Sequence, residues 1–466
     1  MRLRSKIVLV VFWLAIVAPQ IVLGYGSHGD SWLVGRAALQ MWSSGRYVAS
    51  RSTGFPLFEI LVTPLVHAGG WYLSNLLSLV AGLALLCAFF RLADRGELSH
   101  PFPAVLSMAF LPVVVTHSAS TMDYIPALAL MVWAYVLLLE GRIKASAVLI
   151  GLACGFRPTS ELMILPWAIY VWKARRNLRA IAQGVLLAAV VGTIAYSPVL
   201  LTYGIRTIHL TIQVDVPTRV LIGGYSALEL LGIVQSVVVA AVLLYSLRRG
   251  GPVASVSGSP WYAFHVSNIG VWIPLFLAMP YKSAYLMPLL PSLILLLDRL
   301  AGSRAFAWLC ALLLSYHLIR LDALGGESGR RYVKLSLSQG YTIADIQDRR
   351  FKLATRRAAT TCLVKRPTVL MLGDLWIPIG NDAWNWDGDL GMFRRGDGLL
   401  YVTGRILDEQ KLKDLERRGY RLVVWRGDKW EYVRGCDFDW RRYVEIIDKL
   451  PDFFGTPIEG RALTDR

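Results

Sequence analysis

The chain of 466 residues is 55% hydrophobic and 17% charged, with a mean hydropathy of +0.48. Soluble domains carry about 25% charged residues, so this composition argues against a soluble globular protein. The formal charge of +17 does not indicate nucleic-acid binding, because most of the excess lies in residues 1–320, which hold 23 Lys and Arg against 10 Asp and Glu. Positive charge there separates apolar runs, as it does in the loops of membrane proteins.

Apolar runs close to the ~20 residues that a helix needs to cross a bilayer recur through the first 320 residues. We predict a polytopic α-helical membrane protein with about eleven spans, at residues 7–24, 71–91, 101–118, 123–140, 145–157, 160–172, 180–202, 225–247, 260–279, 284–298 and 304–320. The fifth and sixth spans are short, and one long broken helix is the alternative. The first span has a basic start, but its long apolar core favours a retained anchor over a cleaved signal peptide.

The distribution of Lys and Arg among the loops predicts the orientation. Loops on one side carry fifteen of these residues, whereas the short loops on the other side carry only Arg157, Arg206, Arg219 and Lys282. Because basic loops stay in the cytoplasm, this bias predicts a cytoplasmic N-terminus and an extracytoplasmic C-terminal part. The membrane would be the cell membrane, or that of the endoplasmic reticulum in a eukaryote.

A long external loop, residues 25–70, separates the first two spans. Within it, "SWLVGRAALQMW" has the spacing of a helix lying at the membrane interface, with Trp32 and Trp42 at headgroup level. The following "GFPLFEILVTPLV" is apolar but interrupted by Pro56 and Pro64, so we predict a half-buried or re-entrant helix. The membrane module, residues 1–320, includes this loop.

The character of the chain changes after Arg320. The segments "PTVLMLGDLWI", "LLYVTGRI" and "YRLVVWRGD" are typical of strands, and "LDEQKLKDLERRG" is typical of a helix. We therefore predict a soluble extracytoplasmic α/β domain over residues 321–466. Its two cysteines, Cys362 and Cys436, form a disulfide or remain free; the sequence leaves both open.

Charged residues of both signs are predicted near the outer face of the membrane module. The carboxylates there include Asp30, Glu59 and Asp123, and the cations include Arg51, Arg157 and Lys282. Such a mixture favours a site for an anionic ligand with a carboxylate held beside it. The alternative is a set of solvated loop charges and structural ion pairs.

Five motifs in order resemble the GT-C superfamily of polytopic glycosyltransferases, which includes the protein O-mannosyltransferases and the lipid A aminoarabinose transferases. The motifs are "GSHGDSW", "RSTGFPLFE", "TMDYIPALAL", "GLACGFRPTSELMILP" and "YKSAYLMPLLPSLILLL", spread over roughly residues 1–320. The resemblance implies an inverting glycosyltransferase. Its donor would be a sugar on a polyprenyl phosphate, and its acceptor a glycan, lipid or protein.

The resemblance also implies roles for single residues. Asp30, the acid after the first span, would be the catalytic base, and Arg51, Arg157 and Lys282 would hold the donor phosphate. Four further residues are predicted to bind substrate or to orient these groups: His28, Glu59, Asp123 and Tyr285. Their alternatives are a solvated loop histidine, a helix N-terminal acid at Asp123 and an interfacial anchor formed by Lys282 and Tyr285.

This sequence departs from the family in one place that concerns metal. Many relatives have two adjacent acids in this loop, whereas Ser31 follows Asp30 here, so we expect no cofactor and do not favour a divalent metal. The pair Asp387 and Asp389 is a weaker metal candidate and is more typical of a turn. Trp384 and Trp386 beside it are candidates for stacking on an acceptor sugar.

A transporter or flippase for a lipid-linked or anionic glycan is the alternative function. Such a protein also needs many spans and buried charges, but it is expected to show two halves with broken helices at corresponding positions. The sequence has one broken region without a matching second one.

Overall fold

The computed structural model describes residues 1–205, 216–249, 258–279, 282–327, 330–361, 365–371, 378, 384–387, 390–403 and 409–424. Most of these residues are helical. The helices of the first 320 residues are α1 (Leu3–Val17), α2 (Gly29–Ser44), α3 (Pro56–Asp94), α4 (Pro101–Ala109), α5 (Pro112–Ser118), α6 (Tyr124–Leu139), α7 (Ile143–Phe156), α8 (Ile164–Arg175), α9 (Leu178–Tyr203), α10 (Val216–Leu231), α11 (Ile233–Arg249), α12 (Pro260–Ala278), α13 (Leu290–Leu300) and α14 (Ser303–Ser315). Short 3₁₀ helices occupy Ala18–Val22, Pro158–Met163 and Ser283–Leu289.

Within the described residues, five helices are long and apolar enough to cross a membrane, or seven if each of two bent pairs is one span. Each of the eleven predicted spans coincides with a helical stretch, but α6, α7 and α14 have 16, 14 and 13 residues. Proline and glycine shorten several of these helices: α4 and α5, for example, meet at a 55° bend before Pro112. The protein is therefore a helical protein with several apolar spans, and the count of eleven stays a prediction.

One end of the helix bundle is held by ion pairs between helix termini. Lys6 near the start of α1 contacts Asp94 at the end of α3 at 2.5 Å, and Arg91 contacts Glu140, which follows α6, at 2.8 Å. Asp298 of α13 accepts the backbone amides of Ser99 at 2.5 Å and His100 at 2.8 Å, just before α4. These residues lie in or beside the loops that the sequence predicts to be cytoplasmic. The candidate site described below lies where α6 begins and α7 ends.

The predicted external loop is folded against the bundle. The predicted interface helix is α2, but Trp32 is fully buried and donates its indole N–H to Gly26 O at 2.9 Å. The prediction that Trp32 lies at headgroup level is therefore wrong, because its ring packs between Tyr25 and the apolar side of α3; Trp42 is exposed. The predicted half-buried segment is the first part of α3, which is interrupted at Gly69 and Gly70.

Strands appear after the last apolar helix. Strands β1 (Ile319–Glu327) and β2 (Arg330–Gln339) form an antiparallel hairpin, which helix α15 (Tyr341–Thr361) follows. Within the described residues a mixed five-stranded sheet has the order β4-β5-β6-β3-β7. Its strands are β3 (Thr368–Met371), β4 (Trp384–Asp387), β5 (Met392–Arg395), β6 (Leu400–Thr403) and β7 (Arg421–Val424), with helix α16 (Glu409–Arg417) before the last.

The three predicted strands correspond to β3, β6 and β7, and the predicted helix is α16. Strand β3 runs parallel to both β6 and β7, and buried Leu412 and Leu415 of α16 pack against the sheet beside Leu422. Cys362 and Cys436 lie outside the described residues, as do Arg206, Asp215 and Asp389. Their predicted roles stay predictions.

Helix α15 connects the C-terminal part to the membrane helices. Arg349 on this helix is 1% exposed and donates to four backbone carbonyls: Leu23 at 3.2 Å, Gln20 at 3.0 Å, Gly24 at 3.2 Å and Ala119 at 2.7 Å. These carbonyls lie at the end of the first apolar run and just after α5. Part of the region predicted as a separate soluble domain therefore packs directly against the membrane module.

Candidate functional site

Five charged residues form a connected cluster at one end of the bundle. We call Asp30, Arg51, Asp123, Arg157 and Lys282 the charge cluster. Each comes from a different part of the chain, and all but Arg51 lie at or beside a helix terminus. Asp30 lies in the first turn of α2, Arg51 between α2 and α3, Asp123 just before α6, Arg157 just after α7 and Lys282 just before the 3₁₀ helix Ser283–Leu289.

Carboxylates and cations alternate through the charge cluster. Lys282 donates to Asp30, and Arg51 Nη1 lies 3.4 Å from the same Oδ2 of Asp30. Arg51 Nη2 then contacts Asp123 Oδ1 at 2.5 Å, and Arg157 Nη1 contacts Asp123 Oδ2 at 2.7 Å. With three cations against two carboxylates, the cluster has a formal charge of +1.

The cluster has an accessible end and a buried end. The side chains of Asp30 and Lys282 are 23% and 28% exposed, whereas those of Asp123 and Arg157 are 0% and 9% exposed. Asp123 does not cap its own helix, because both of its carboxylate oxygens are occupied by arginines. Asp123 does lie at the N-cap position of α6, as the helix-N-terminus interpretation predicts, but its carboxylate pairs with the two arginines. A ligand would enter beside Asp30.

Neighbouring charges set the ionisation of the residues at the accessible end. Burial raises the pKa of Asp30, but the positive charges of Arg51 and Lys282 and the hydrogen bond from Lys282 outweigh it, so that the pKa lies below the usual value. Burial acts to lower the pKa of Arg51, but the negative charges of Asp123 and Asp30 raise it above its ordinary value. Asp30 is therefore a carboxylate at neutral pH, and Arg51 stays charged.

Aromatic rings enclose the buried end of the cluster. The Arg157 guanidinium lies over the rings of Tyr124 at 4.2 Å and Tyr285 at 4.9 Å, and that of Arg51 lies 3.8 Å from the centre of the Phe55 ring. Among the described residues, the buried Nε of Arg51 and the hydroxyl of Tyr124 have no hydrogen-bond partner. Unpartnered buried donors are costly, so their place beside a net positive cluster favours a ligand rich in acceptors.

Glu59 is not part of the charge cluster. It is fully buried on α3 and accepts hydrogen bonds from the hydroxyls of Tyr47 and Ser50, from the Ser50 amide at 2.7 Å and from the Phe55 amide at 2.9 Å. Burial and the Glu59 charge raise the pKa of Tyr47 above its ordinary value, so the phenol stays a donor. Glu59 thus holds the loop that carries Arg51, without touching its guanidinium.

The other two predicted substrate residues flank the cluster. The Tyr285 amide donates to Lys282 O at 3.0 Å, so both residues lie on one helical turn, as their spacing predicts. The His28 ring stacks on that of His117 with centroids 5.8 Å apart. His28 immediately precedes α2.

Three residues near the site were not identified from the sequence. Tyr124 and His117 lie within apolar runs, where an aromatic residue is more often part of the core, and Asp345 lies in the region predicted as a separate domain. The sequence does show that Asp345 and Arg349 lie four residues apart, the spacing of an ion pair on a helix. The sequence does not show that α15 packs against the loop beside Asp30, because this contact joins residues more than 300 positions apart.

The weaker metal candidate has a plain structural role. Asp387 Oδ1 accepts the Leu390 amide at 3.2 Å, as in an ordinary Asp turn after β4. Within the described residues there is no group of three or more His, Cys, Asp or Glu side chains that could hold a metal ion. Metal independence of the protein stays a prediction.

No protein-family model, curated protein or solved structure matches the chain. The resemblance to the GT-C superfamily therefore remains an expectation from the five sequence motifs.

Proposed function

We propose that the protein is an inverting glycosyltransferase that moves a sugar from a polyprenyl-phosphate-linked donor to an acceptor at the outer or lumenal face of the membrane. The observation that carries this proposal is the charge cluster, a net positive site among apolar helices. Its buried donors at Arg51 and Tyr124 have no partner in the part of the chain that the structure describes. A phosphate offers only acceptors and negative charge, which suits these donors. A polyprenyl tail suits the surrounding apolar helices.

The reaction is a single displacement at the anomeric carbon. The acceptor hydroxyl attacks this carbon as the bond to the phosphate oxygen breaks, and the electron pair of that bond leaves with the lipid phosphate. Asp30 takes the proton of the acceptor hydroxyl, a role worth roughly 10²–10⁴-fold in rate. Lys282, Arg51 and Arg157 stabilise the charge that develops on the leaving phosphate.

Donor binding also prepares the base. Without substrate, Lys282 and Arg51 neutralise Asp30, which makes it a weak base. A donor phosphate competes for these two cations, so their charge is shared between the phosphate and the carboxylate. Asp30 then becomes more basic when the donor is in place, which couples proton removal to a bound donor.

The number of spans and their orientation are part of this proposal. With eleven spans and the predicted orientation, the charge cluster would lie at the extracytoplasmic face, where a lipid-borne donor and a water-borne acceptor meet. The separation of the cluster from the ion pairs of Lys6–Asp94 and Arg91–Glu140 at the other end of the bundle supports this arrangement. The resemblance in the five motifs supports the reaction class.

Consumption of radiolabelled polyprenyl-phosphate sugars by the purified protein in lipid nanodiscs tests the proposed function. We expect Lys282→Ala to raise the donor KM by about tenfold or more, because a hydrogen bond to a charged phosphate contributes about 1.5–3 kcal/mol. Lys282→Arg, which keeps the charge, should retain part of the affinity.

Lys6→Ala is the matched control for this experiment. Lys6 also pairs with an aspartate, Asp94, but it does so at the other end of the bundle. An unchanged donor KM in Lys282→Ala, or an equal loss in Lys6→Ala, would contradict the phosphate-binding role. Wild-type protein that consumes no polyprenyl-phosphate sugar from a broad panel would contradict the proposed function itself.

The pH dependence of turnover provides a second prediction. Because the pKa of Asp30 is depressed, the free protein keeps its carboxylate until the pH falls below the ordinary Asp value of about 3.9. We expect the acidic limb of kcat/KM, which reports the free protein, to lie below that pH. The acidic limb of kcat should lie at higher pH, because the bound donor phosphate shares the two cations that lower the Asp30 pKa.

Lys282→Ala should move the acidic limb of kcat/KM to higher pH, since it removes one of the charges that lower the Asp30 pKa. Lys6→Ala should leave it in place. An acidic limb that does not respond to Lys282→Ala would show that the titrating group is not Asp30.

A further inference from the structure

A small polar pocket lies beside the loop that carries Asp30. About 210 Å³ between the loop before α2, the end of α5 and helix α15 is free of atoms, part of it open to solvent, and the enclosed part has room for about one hydroxyl group or water. Hydrogen-bonding residues make up most of its wall: Ser31, Thr116, Ser120, His28, His117 and Asp345. Ser31 follows Asp30 directly, so the pocket adjoins the accessible end of the charge cluster.

His117 is the residue that points to a ligand. It is 2% exposed, and among the described residues neither of its ring nitrogens has a hydrogen-bond partner. A neutral imidazole carries one donor and one acceptor, and burying both without partners is unfavourable. A ligand that supplies both a donor and an acceptor would satisfy them.

Asp345 supplies a second polar atom to the pocket from α15. Its side chain is 10% exposed, and its Oδ2 lies 3.6 Å from Arg349 Nη1, beyond hydrogen-bond distance. Burial raises the pKa of Asp345 above its usual value although Arg349 stands beside it. Among the described residues Oδ2 has no hydrogen-bond partner, so it can accept a hydrogen bond from a hydroxyl.

The lining selects against phosphate. The Asp345 carboxylate repels an anion, and no lysine or arginine of the charge cluster lines the pocket. Hydroxyl groups, in contrast, donate and accept at once and match imidazole, serine, threonine and carboxylate partners. The pocket is narrow at Gly26, because the backbone there lies against two serines. A Cβ at Gly26 would meet Ser31 Oγ at 2.7 Å and Ser120 Cβ at 3.0 Å.

We propose that this pocket binds the hydroxyl-bearing end of a neutral sugar or polyol acceptor, with His117 and Asp345 as its main hydrogen-bonding partners. The proposal rests on the proposed function, because it places the acceptor beside Asp30. It assigns acceptor recognition in part to α15, outside the module that carries the family motifs. A hydroxyl held between Asp345 and His117 positions the neighbouring hydroxyl of the same ligand for proton transfer to Asp30.

Binding of neutral methyl glycosides to the full-length protein in nanodiscs tests this pocket directly. At least one glycoside of a panel of methyl mannosides, glucosides and galactosides should raise the thermal unfolding temperature of the wild type. Asp345→Asn and His117→Phe should each need about tenfold or more glycoside for the same shift, because a buried hydrogen bond to the ligand is lost. Inorganic phosphate should not displace the glycoside.

Two matched variants serve as controls. Asp348→Asn changes a partly exposed carboxylate on the same helix, and His67→Phe changes an exposed histidine that stacks on Trp42. Both should keep the wild-type glycoside response. If His117→Phe does not fold, the isosteric Asp345→Asn carries the test alone.

The outcomes separate this proposal from the proposed function. A wild type that responds to no glycoside, or variants that respond as the wild type does, would overturn the acceptor pocket, and water would then be its occupant. Donor consumption is measured separately, and the KM for the donor should be the same in Asp345→Asn as in the wild type. A glycoside response that depends on Asp345 in a protein that consumes no donor would leave the pocket standing and overturn the glycosyltransferase.

Discussion

Asp30→Asn is expected to lower glycosyl transfer by roughly 10²-fold or more, because the amide keeps the size of the side chain but cannot take a proton. The effect should fall on kcat, since Lys282, Arg51 and Arg157 remain to hold the donor phosphate. Transfer is measured with the purified protein in nanodiscs, together with the thermal unfolding temperature. The unfolding temperature should change little, because Asp30 lies at the accessible end of the charge cluster.

The matched control is Asp94→Asn, since Asp94 also pairs with a lysine but lies at the opposite end of the bundle. It should transfer sugar at the wild-type rate. A wild-type rate in Asp30→Asn would mean that another group removes the acceptor proton, and Asp345 would then be the next residue to test.

The largest effect on stability is expected from Asp123→Ala. Asp123 is fully buried between Arg51 and Arg157, and its loss leaves two buried guanidinium groups close together without the carboxylate that separates them. Removing one partner of a buried ion pair costs about 3–5 kcal/mol. Denaturant unfolding in a fixed detergent, followed by fluorescence, should report a loss of this size.

Glu140→Ala provides the comparison for this variant. Glu140 also forms ion pairs with two arginines, but Arg91 is 51% exposed, so the loss of Glu140 should cost about 0–1 kcal/mol. Equal losses in the two variants would mean that the buried end of the charge cluster contributes no more than a surface ion pair. Arg157→Ala, which leaves Asp123 paired with Arg51, is expected to fall between them.

The sequence was sufficient to predict a helical protein with several apolar spans, because apolar runs are local signals. It also singled out Asp30, Arg51, Asp123, Arg157 and Lys282, since few charged residues occur in the apolar part of the chain. That these five form one alternating network could not be predicted. Their contacts join residues up to 252 positions apart, and only the packing of helix termini brings them together.

The misplaced residues show where local patterns fail. Trp32 has the spacing of an interfacial helix, but the ring is buried because Tyr25 and the first part of α3 cover it. Glu59 was expected to orient Arg51, and it binds the loop that carries Arg51 through Ser50 and Phe55 rather than through the guanidinium. Asp345 and His117 were missed because an acid on an amphipathic helix and a histidine in an apolar run have common structural explanations.

The four carbonyls that Arg349 satisfies have a consequence for the order of folding. Gln20, Leu23 and Gly24 are synthesised at the start of the chain, and the donor that pairs with their carbonyls follows more than 300 residues later. At the roughly 5–20 residues per second of synthesis, the membrane helices spend many seconds without this partner. The loop that carries Asp30 therefore reaches its final conformation late, after α15 has docked. If the proposed function holds, a newly made chain would gain activity only after α15 has been synthesised and has docked.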